Sequence, residues 1–184
     1  MADLISIPVA PMGNATFAGF ATIREIGPLG MITLRAKSDL LAEAFTTLGL
    51  TQPEPRRITI SGDKSAGWMS PDEYLLIIPY TQADAAIATL TEALKGQHHL
   101  DANVSDARAV FRIEGTKADQ ILKKIAPVDI DQLAPNELRR SRAAQVPAAF
   151  WKDGDGYTLV CFRSVAGYVM GLLSHSAAPG SELF

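Results

Sequence analysis

The sequence predicts an α+β protein made of two similar, ferredoxin-like halves with mainly antiparallel sheets. Three observations predict it. First, the chain repeats itself: Gly67-Trp68-Met69-Ser70-Pro71-Asp72-Glu73-Tyr74-Leu75-Leu76 and Phe150-Trp151-Lys152-Asp153-Gly154-Asp155-Gly156-Tyr157-Thr158-Leu159 share one grammar of extended segment, polar turn and extended segment. The spacings 151 − 68 and 157 − 74 are both 83, so Trp and Tyr recur together. Second, short alternating apolar runs with strand character open each half. Third, four stretches carry an apolar stripe at helical spacing, and each large side chain buried is worth roughly 1.5–3 kcal/mol. Such stripes are hidden by packing on a sheet, which gives layered α+β halves.

The elements follow in order. Residues 1–30 are punctuated by Pro8, Pro11, Gly13, Gly19, Gly27 and Pro28 and show weak periodicity. They read either as a ragged terminus or as an N-terminal arm whose apolar anchors, Phe17 and Phe20, are ordered by a partner. Residues 31–184 read as one domain of two pseudo-repeats, 31–96 and 104–175. In the first repeat, Met31 to Arg35 alternates like a strand. Ser38 is placed to cap a helix carrying Leu41, Ala44, Phe45 and Leu48, which Gly49 stops. Arg57 to Ser61 is a short strand. Gly67 to Met69 and Tyr74 to Ile78 flank a Ser-Pro-Asp-Glu turn. Thr81, with Asp84 three residues on, is placed to cap a helix with the face Ala83, Ile87, Leu90 and Leu94. In the second repeat, Ala109 to Ile113 is a strand. Thr116 is placed to cap a helix with the face Ala118, Ile121, Leu122 and Ile125, which Pro127 prevents from continuing. A loop with Pro135 and the arginines follows. Ala143 to Trp151 and Tyr157 to Phe162 form a hairpin across Asp-Gly-Asp-Gly. Ser164 is placed to cap a last helix through Val165, Tyr168, Val169 and Leu172.

Composition narrows the function. The 184 residues are 47% hydrophobic, enough for a packed core. A formal net charge of −3 gives no basic footprint for nucleic acid and no polybasic membrane patch. The single cysteine, Cys161, excludes an internal disulfide and suits a reducing cytoplasm. The first residues lack a basic n-region followed by a long apolar run, so no export signal is expected. No stretch approaches the ~18 apolar residues of a membrane span.

Few motifs carry chemistry. Trp68 and Trp151 read as paired packing residues at matching hairpin positions. His98-His99 lacks a surrounding cluster at metal-ligand spacing and reads as a turn. His175 suits a helix C-terminus. Cys161 sits between apolar neighbours on a strand, where burial makes a thiol inert. Asp153-Gly154-Asp155-Gly156 lacks the terminal Glu of an EF-hand loop and reads as a hairpin turn. Neither glycine-rich phosphate motif occurs. The densest positive cluster is Arg139-Arg140-Ser141-Arg142, with Arg163 a candidate neighbour. It reads as a solvated or partner-facing edge, or as a clamp for a carboxylate or phosphate. A regulatory ligand-binding module would use the same cluster. No catalytic, cofactor-binding or metal-binding residue is assigned.

The stretch Val104-Ser105-Asp106-Ala107-Arg108 leading into Ala109-Val110-Phe111-Arg112-Ile113-Glu114-Gly115 is similar to the opening of the folate-binding fold of the glycine cleavage T-protein. Ile125-Ala126-Pro127-Val128-Asp129-Ile130, Arg142-Ala143-Ala144-Gln145, the segment from Phe150 to Tyr157 and that from Trp68 to Tyr74 narrow the likeness. Together, from about Met31 to Leu173, the chain resembles the gamma subunit of heterotetrameric sarcosine oxidase. The resemblance implies an accessory subunit of an alpha–beta–gamma–delta complex that oxidatively demethylates sarcosine to glycine. In that family the one-carbon unit is implied to pass to tetrahydrofolate or to leave as formaldehyde. It also implies that FAD, FMN, NAD, zinc and tetrahydrofolate belong to partner subunits and that alpha is the most direct neighbour. The T-protein's catalytic aspartate is not assigned to any residue of this chain, so no catalytic residue is carried over. The alternative is a free-standing folate-dependent one-carbon transferase.

Overall fold

The structure is a computed structural model that describes residues 8–184. Strands β1 (Thr16–Ala18) and β2 (Thr22–Ile26) come first. The first half follows as β3 (Leu29–Ala36), α1 (Leu41–Thr47), β4 (Ile58–Ser61), β5 (Lys64–Ser70), β6 (Glu73–Pro79), α2 (Ala83–Ala93) and β7 (His99–Asn103). The second half is β8 (Arg108–Glu114), α3 (Ala118–Ile125), β9 (Leu138–Ala143), β10 (Val146–Asp153), β11 (Gly156–Phe162) and α4 (Ala166–Ser176). One sheet is ordered β4-β5-β6-β3-β7 and the other β1-β2-β8-β11-β10-β9. Among the described residues, every pairing between these strands is antiparallel.

The two sheets have the same plan. The first strand of each half, β3 or β8, lies beside its hairpin, β5-β6 or β10-β11, and an extra strand, β4 or β9, lies outside. On the other flank of β3 stands β7; on the other flank of β8 stands β2. Residues 16–26, inside the segment read as an arm, therefore complete the second sheet. Without them β8 would present a bare row of backbone donors and acceptors. Phe17 and Phe20 pack against the core beneath α3 and α4, within the chain itself.

Three apolar layers result. α1 and α2 cover one face of the first sheet through Leu41, Phe45, Ala83 and Leu90. α3 and α4 cover one face of the second through Ile121, Leu122, Val169 and Leu173. Between the uncovered faces lies a third cluster that includes Met31, Leu75, Ile77, Val110, Trp151 and Val160. Helices thus sandwich two sheets. Strand alternation explains why β6 reads as an unbroken apolar run: Tyr74, Leu76 and Ile78 face helices while Leu75 and Ile77 face the other sheet.

The Val104-Ser105-Asp106 stretch has a definite structural task, since it makes the crossover between halves. Met31 N–H donates to Ser105 Oγ at 2.9 Å, and Ser105 Oγ–H donates to Asn103 Oδ1 at 2.6 Å. Val104 N–H donates to Met31 O at 2.8 Å, and the Tyr80 hydroxyl donates to the Asp106 carboxylate at 3.1 Å.

Four sequence expectations are corrected. The N-caps of the helices are Leu40, Gln82, Lys117 and Val165, and none makes a side-chain cap hydrogen bond. Ser38, Thr81 and Ser164 fall instead in 3-10 turns that lead into α1, α2 and α4. Such turns supply backbone acceptors: Ala83 N–H bonds Tyr80 O, and Ala166 N–H bonds Arg163 O. Tyr168 is 47% exposed, because the buried face of α4 runs through Val169, Met170 and Leu173. His99 opens strand β7, and Arg139 to Arg142 lie in strand β9; pairing to β3 and β10 overrides their polar, loop-like composition.

The fourth correction concerns the tryptophans. Across the first hairpin Ser70 faces Glu73 and Trp68 faces Tyr74, so Met69 is an extra, bulged residue. Across the second, Asp153 faces Gly156 and Lys152 faces Tyr157 without insertion. Counted from the turn, Trp68 corresponds to Lys152, and Trp151 to Gly67. One residue of shift turns a side chain to the opposite face. Trp68 is half-buried on the helix side, whereas Trp151 lies between the sheets. Tyr74 and Tyr157 keep matched places on the helix sides.

Gly19 shows how the β1-β2 hairpin docks. Phe20 N–H donates to Ala177 O, just past α4, at 2.9 Å. A Cβ on Gly19 would stand 1.8 Å from that oxygen. Gly19→Ala is expected to destabilise the chain by about 1–3 kcal/mol. A lowered urea midpoint would show this; an unchanged one would mean that the hairpin does not dock here.

Candidate functional site

Alternation along three strands collects the polar residues of the layer between the sheets. Glu73 shares a face of β6 with Leu75, Arg108 a face of β8 with Val110, and Arg140 a face of β9 with Leu138. All three therefore take the inter-sheet side at one end of the apolar layer, with Arg140 at its exposed rim. There they line a cleft of about 80 Å³, together with Met69, Leu75 and Val160. Arg140 Nη1 bonds Glu73 Oε2 at 3.0 Å, joining the second sheet to the first. The Arg108 guanidinium lies 4.3 Å over the ring of Phe162. Its Nε is buried without a hydrogen-bond partner among the described residues. Burial lowers the Arg108 pKa, Glu73 opposes that shift, and Arg140 adds to it. The group still stays protonated at neutral pH.

A second charged knot closes the seam between β4 and β9. Glu137 is 8% exposed. Its carboxylate accepts from Ala134 N–H at 3.0 Å and Arg139 Nη2 at 2.8 Å, and it also binds Arg56. Ile58 N–H donates to Asn136 O, and Leu138 N–H to Arg56 O, both at 3.0 Å. This knot ties the halves together.

The arginine run is thus divided by the strand's two faces. Arg139 turns to Glu137, Arg140 to Glu73, and Arg142 is exposed. Arg163 is exposed and donates to Val9 O at 3.2 Å. They do not converge as one clamp. Sequence reasoning overlooked Glu73, Arg108 and Glu137. Period-two alternation marks the faces of Glu73 and Arg108, but their convergence depends on two sheets packing face to face.

The remaining candidates are placed as follows. The Asp-Gly-Asp-Gly turn is gathered by Arg112, which bonds Asp153 O at 2.7 Å and lies 3.6 Å from Asp155 Oδ1. His98 and His99 line an open groove of about 590 Å³ on the outer edge of the first sheet, beside Arg35 and Asp72. Among the described residues, no three His, Cys, Asp or Glu side chains are grouped to hold a metal ion. Cys161 is buried, and that burial pushes its thiol up to about 12. Native Cys161 is expected to react with iodoacetamide at pH 8 at least about 100-fold more slowly than in urea; comparable rates would contradict its burial.

The arrangement of sheets is that of a known class. A crystal structure of glycine cleavage system aminomethyltransferase T from Bartonella henselae superposes with TM-score 0.67 at 13% identity, over 94% of this chain and 52% of that one. The aminomethyltransferase of Bacillus licheniformis is 30% identical over 105 residues, which are 54% of this chain and 29% of that protein. The chain is therefore a mixed α/β protein of the aminomethyltransferase, or folate-binding, fold.

Within that class the assignment is narrower. Residues 35–179 match the model of the sarcosine oxidase, gamma subunit family, and the chain belongs to that family. It is 29% identical over 157 residues to sarcosine oxidase subunit gamma of Corynebacterium sp. (strain U-96), covering 79% of this chain and 74% of that protein. One chain of the heterotetrameric sarcosine oxidase structure from Corynebacterium sp. U-96 superposes with TM-score 0.81 at 23% identity, over 92% of this chain and 94% of that one.

Proposed function

We propose that this chain is the gamma subunit of a heterotetrameric sarcosine oxidase and serves it as an accessory, structural component. One observation carries the reading: the likeness spans 94% of a chain of that complex but only 52% of an aminomethyltransferase. The complex would demethylate sarcosine oxidatively to glycine and pass the one-carbon unit to tetrahydrofolate. FAD, FMN, NAD, zinc and tetrahydrofolate would reside in the alpha, beta and delta subunits, with alpha the direct neighbour. No described helix is long and apolar enough to cross a membrane, which is compatible with a cytoplasmic complex. A structural role also fits the inner carboxylates Glu73 and Glu137, which are both engaged by arginines of this chain.

Coexpression with the other subunits tests the reading. The tagged chain is expected to copurify with a large flavoprotein; a chain that stays alone would count against it. The isolated chain is expected to bind tetrahydrofolate no tighter than about 10 μM, or roughly −7 kcal/mol. Tighter binding in calorimetry would favour the transferase alternative.

A further inference from the structure

The cleft between the sheets carries a charge that its own residues leave unmatched. Arg140 and Glu73 form an ion pair across it. Arg108 makes no hydrogen bond or ion pair with any described residue; its partner is the face of Phe162. Its Nε is cut off from water with no acceptor, which is costly unless one meets it, while the residue as a whole stays half-buried and within reach of a ligand. Two arginines and one glutamate leave one net positive charge, walled by the apolar side chains of Met69, Leu75 and Val160.

We propose that this cleft binds one carboxylate group, with Arg108 as its main donor. A carboxylate matches the planar fork of a guanidinium and the single unit of charge. A phosphate dianion would bring a second negative charge against Glu73. The volume of about 80 Å³ suits a group with a short apolar stem. Two sources share this chemistry: a free short-chain acid, or an Asp or Glu side chain of a neighbouring subunit.

The test has two arms. In the first, the full-length isolated chain is titrated with acetate and propionate at constant ionic strength, following the Arg108 Nε–H resonance by NMR. A saturable shift, weakened at least about 10-fold in Arg108→Lys and not reproduced by inorganic phosphate, supports a free-acid site. In the second, the wild type and Arg108→Gln are coexpressed with the other subunits. A chain deaf to acetate whose Arg108→Gln variant folds, by circular dichroism, yet copurifies at least about 10-fold less well supports a carboxylate supplied by a partner.

The proposal is overturned if phosphate shifts the resonance as strongly as acetate does. It is equally overturned if acetate has no effect while wild type and Arg108→Gln copurify alike, or neither copurifies. The first arm uses this chain alone. An acetate response beside a wild type that fails to copurify would sink the subunit reading and leave the carboxylate site standing.

Discussion

Trp151→Ala is expected to lower the unfolding free energy by about 3–5 kcal/mol, the range for removing a fully buried aromatic from a core. Trp151 is 4% exposed and lies between the sheets, with Leu138 and Thr158 opposite it on the neighbouring strands. A cavity there would separate the halves as well as lose apolar contact, because both sheets contribute to that layer. Trp68→Ala is expected to cost only about 1–2 kcal/mol. Its indole is half-buried and borders an open groove with Pro53, Pro55 and Pro71. Urea unfolding of both variants separates these cases. Equal losses would show that the bulge at Met69 does not place the two tryptophans in different layers.

Glu137→Ala is expected to cost about 3 kcal/mol, since it leaves Arg139 partly buried beside no carboxylate and frees Arg56 from the seam. Arg139 Nε is already buried without a hydrogen-bond partner among the described residues, so nothing nearby replaces the lost acceptor. The same residue sets a pH dependence. Burial pushes its carboxyl upward, but the Ala134 N–H and the Arg56 and Arg139 guanidiniums outweigh this and hold it below the usual carboxylate range. The folded state therefore binds the proton less readily than the unfolded one. The stabilisation is complete above the unfolded carboxyl's pKa and is lost as the pH falls through the lower, folded value. Glu137→Gln should flatten the stability profile between about pH 6 and about pH 3 relative to the wild type. Parallel profiles would show that the carboxylate is not held by its arginines.

Much of the fold was legible because it rests on local signals. The stripes Ala118, Ile121, Leu122, Ile125 and Leu41, Ala44, Phe45 are buried as their spacing implies. Both hairpins fall where the polar turns put them. β7 and β9 were not legible, since His99-Leu100-Asp101 and Arg139-Arg140-Ser141-Arg142 have no apolar alternation of their own. They are strands because a neighbour offers its edge. β2 was hidden for the same reason: its partner, β8, lies more than eighty residues along the chain, with Ile23 opposite Ile113. The candidate site was legible only as an arginine-rich run. Which arginine meets which carboxylate depends on residues from opposite halves.

The sequence by itself determined that there are two related units, what class of fold they adopt and which family they resemble, because repeated short-range patterns of polarity carry that information. The tertiary structure alone decided that an N-terminal strand completes the second sheet, that one bulged residue sends the two tryptophans to different layers, and that Glu73, Arg108 and Arg140 share a cleft. Each of these turns on pairing register and on the contact of faces distant along the chain, and a period-two pattern fixes which side a residue takes but not what it meets there.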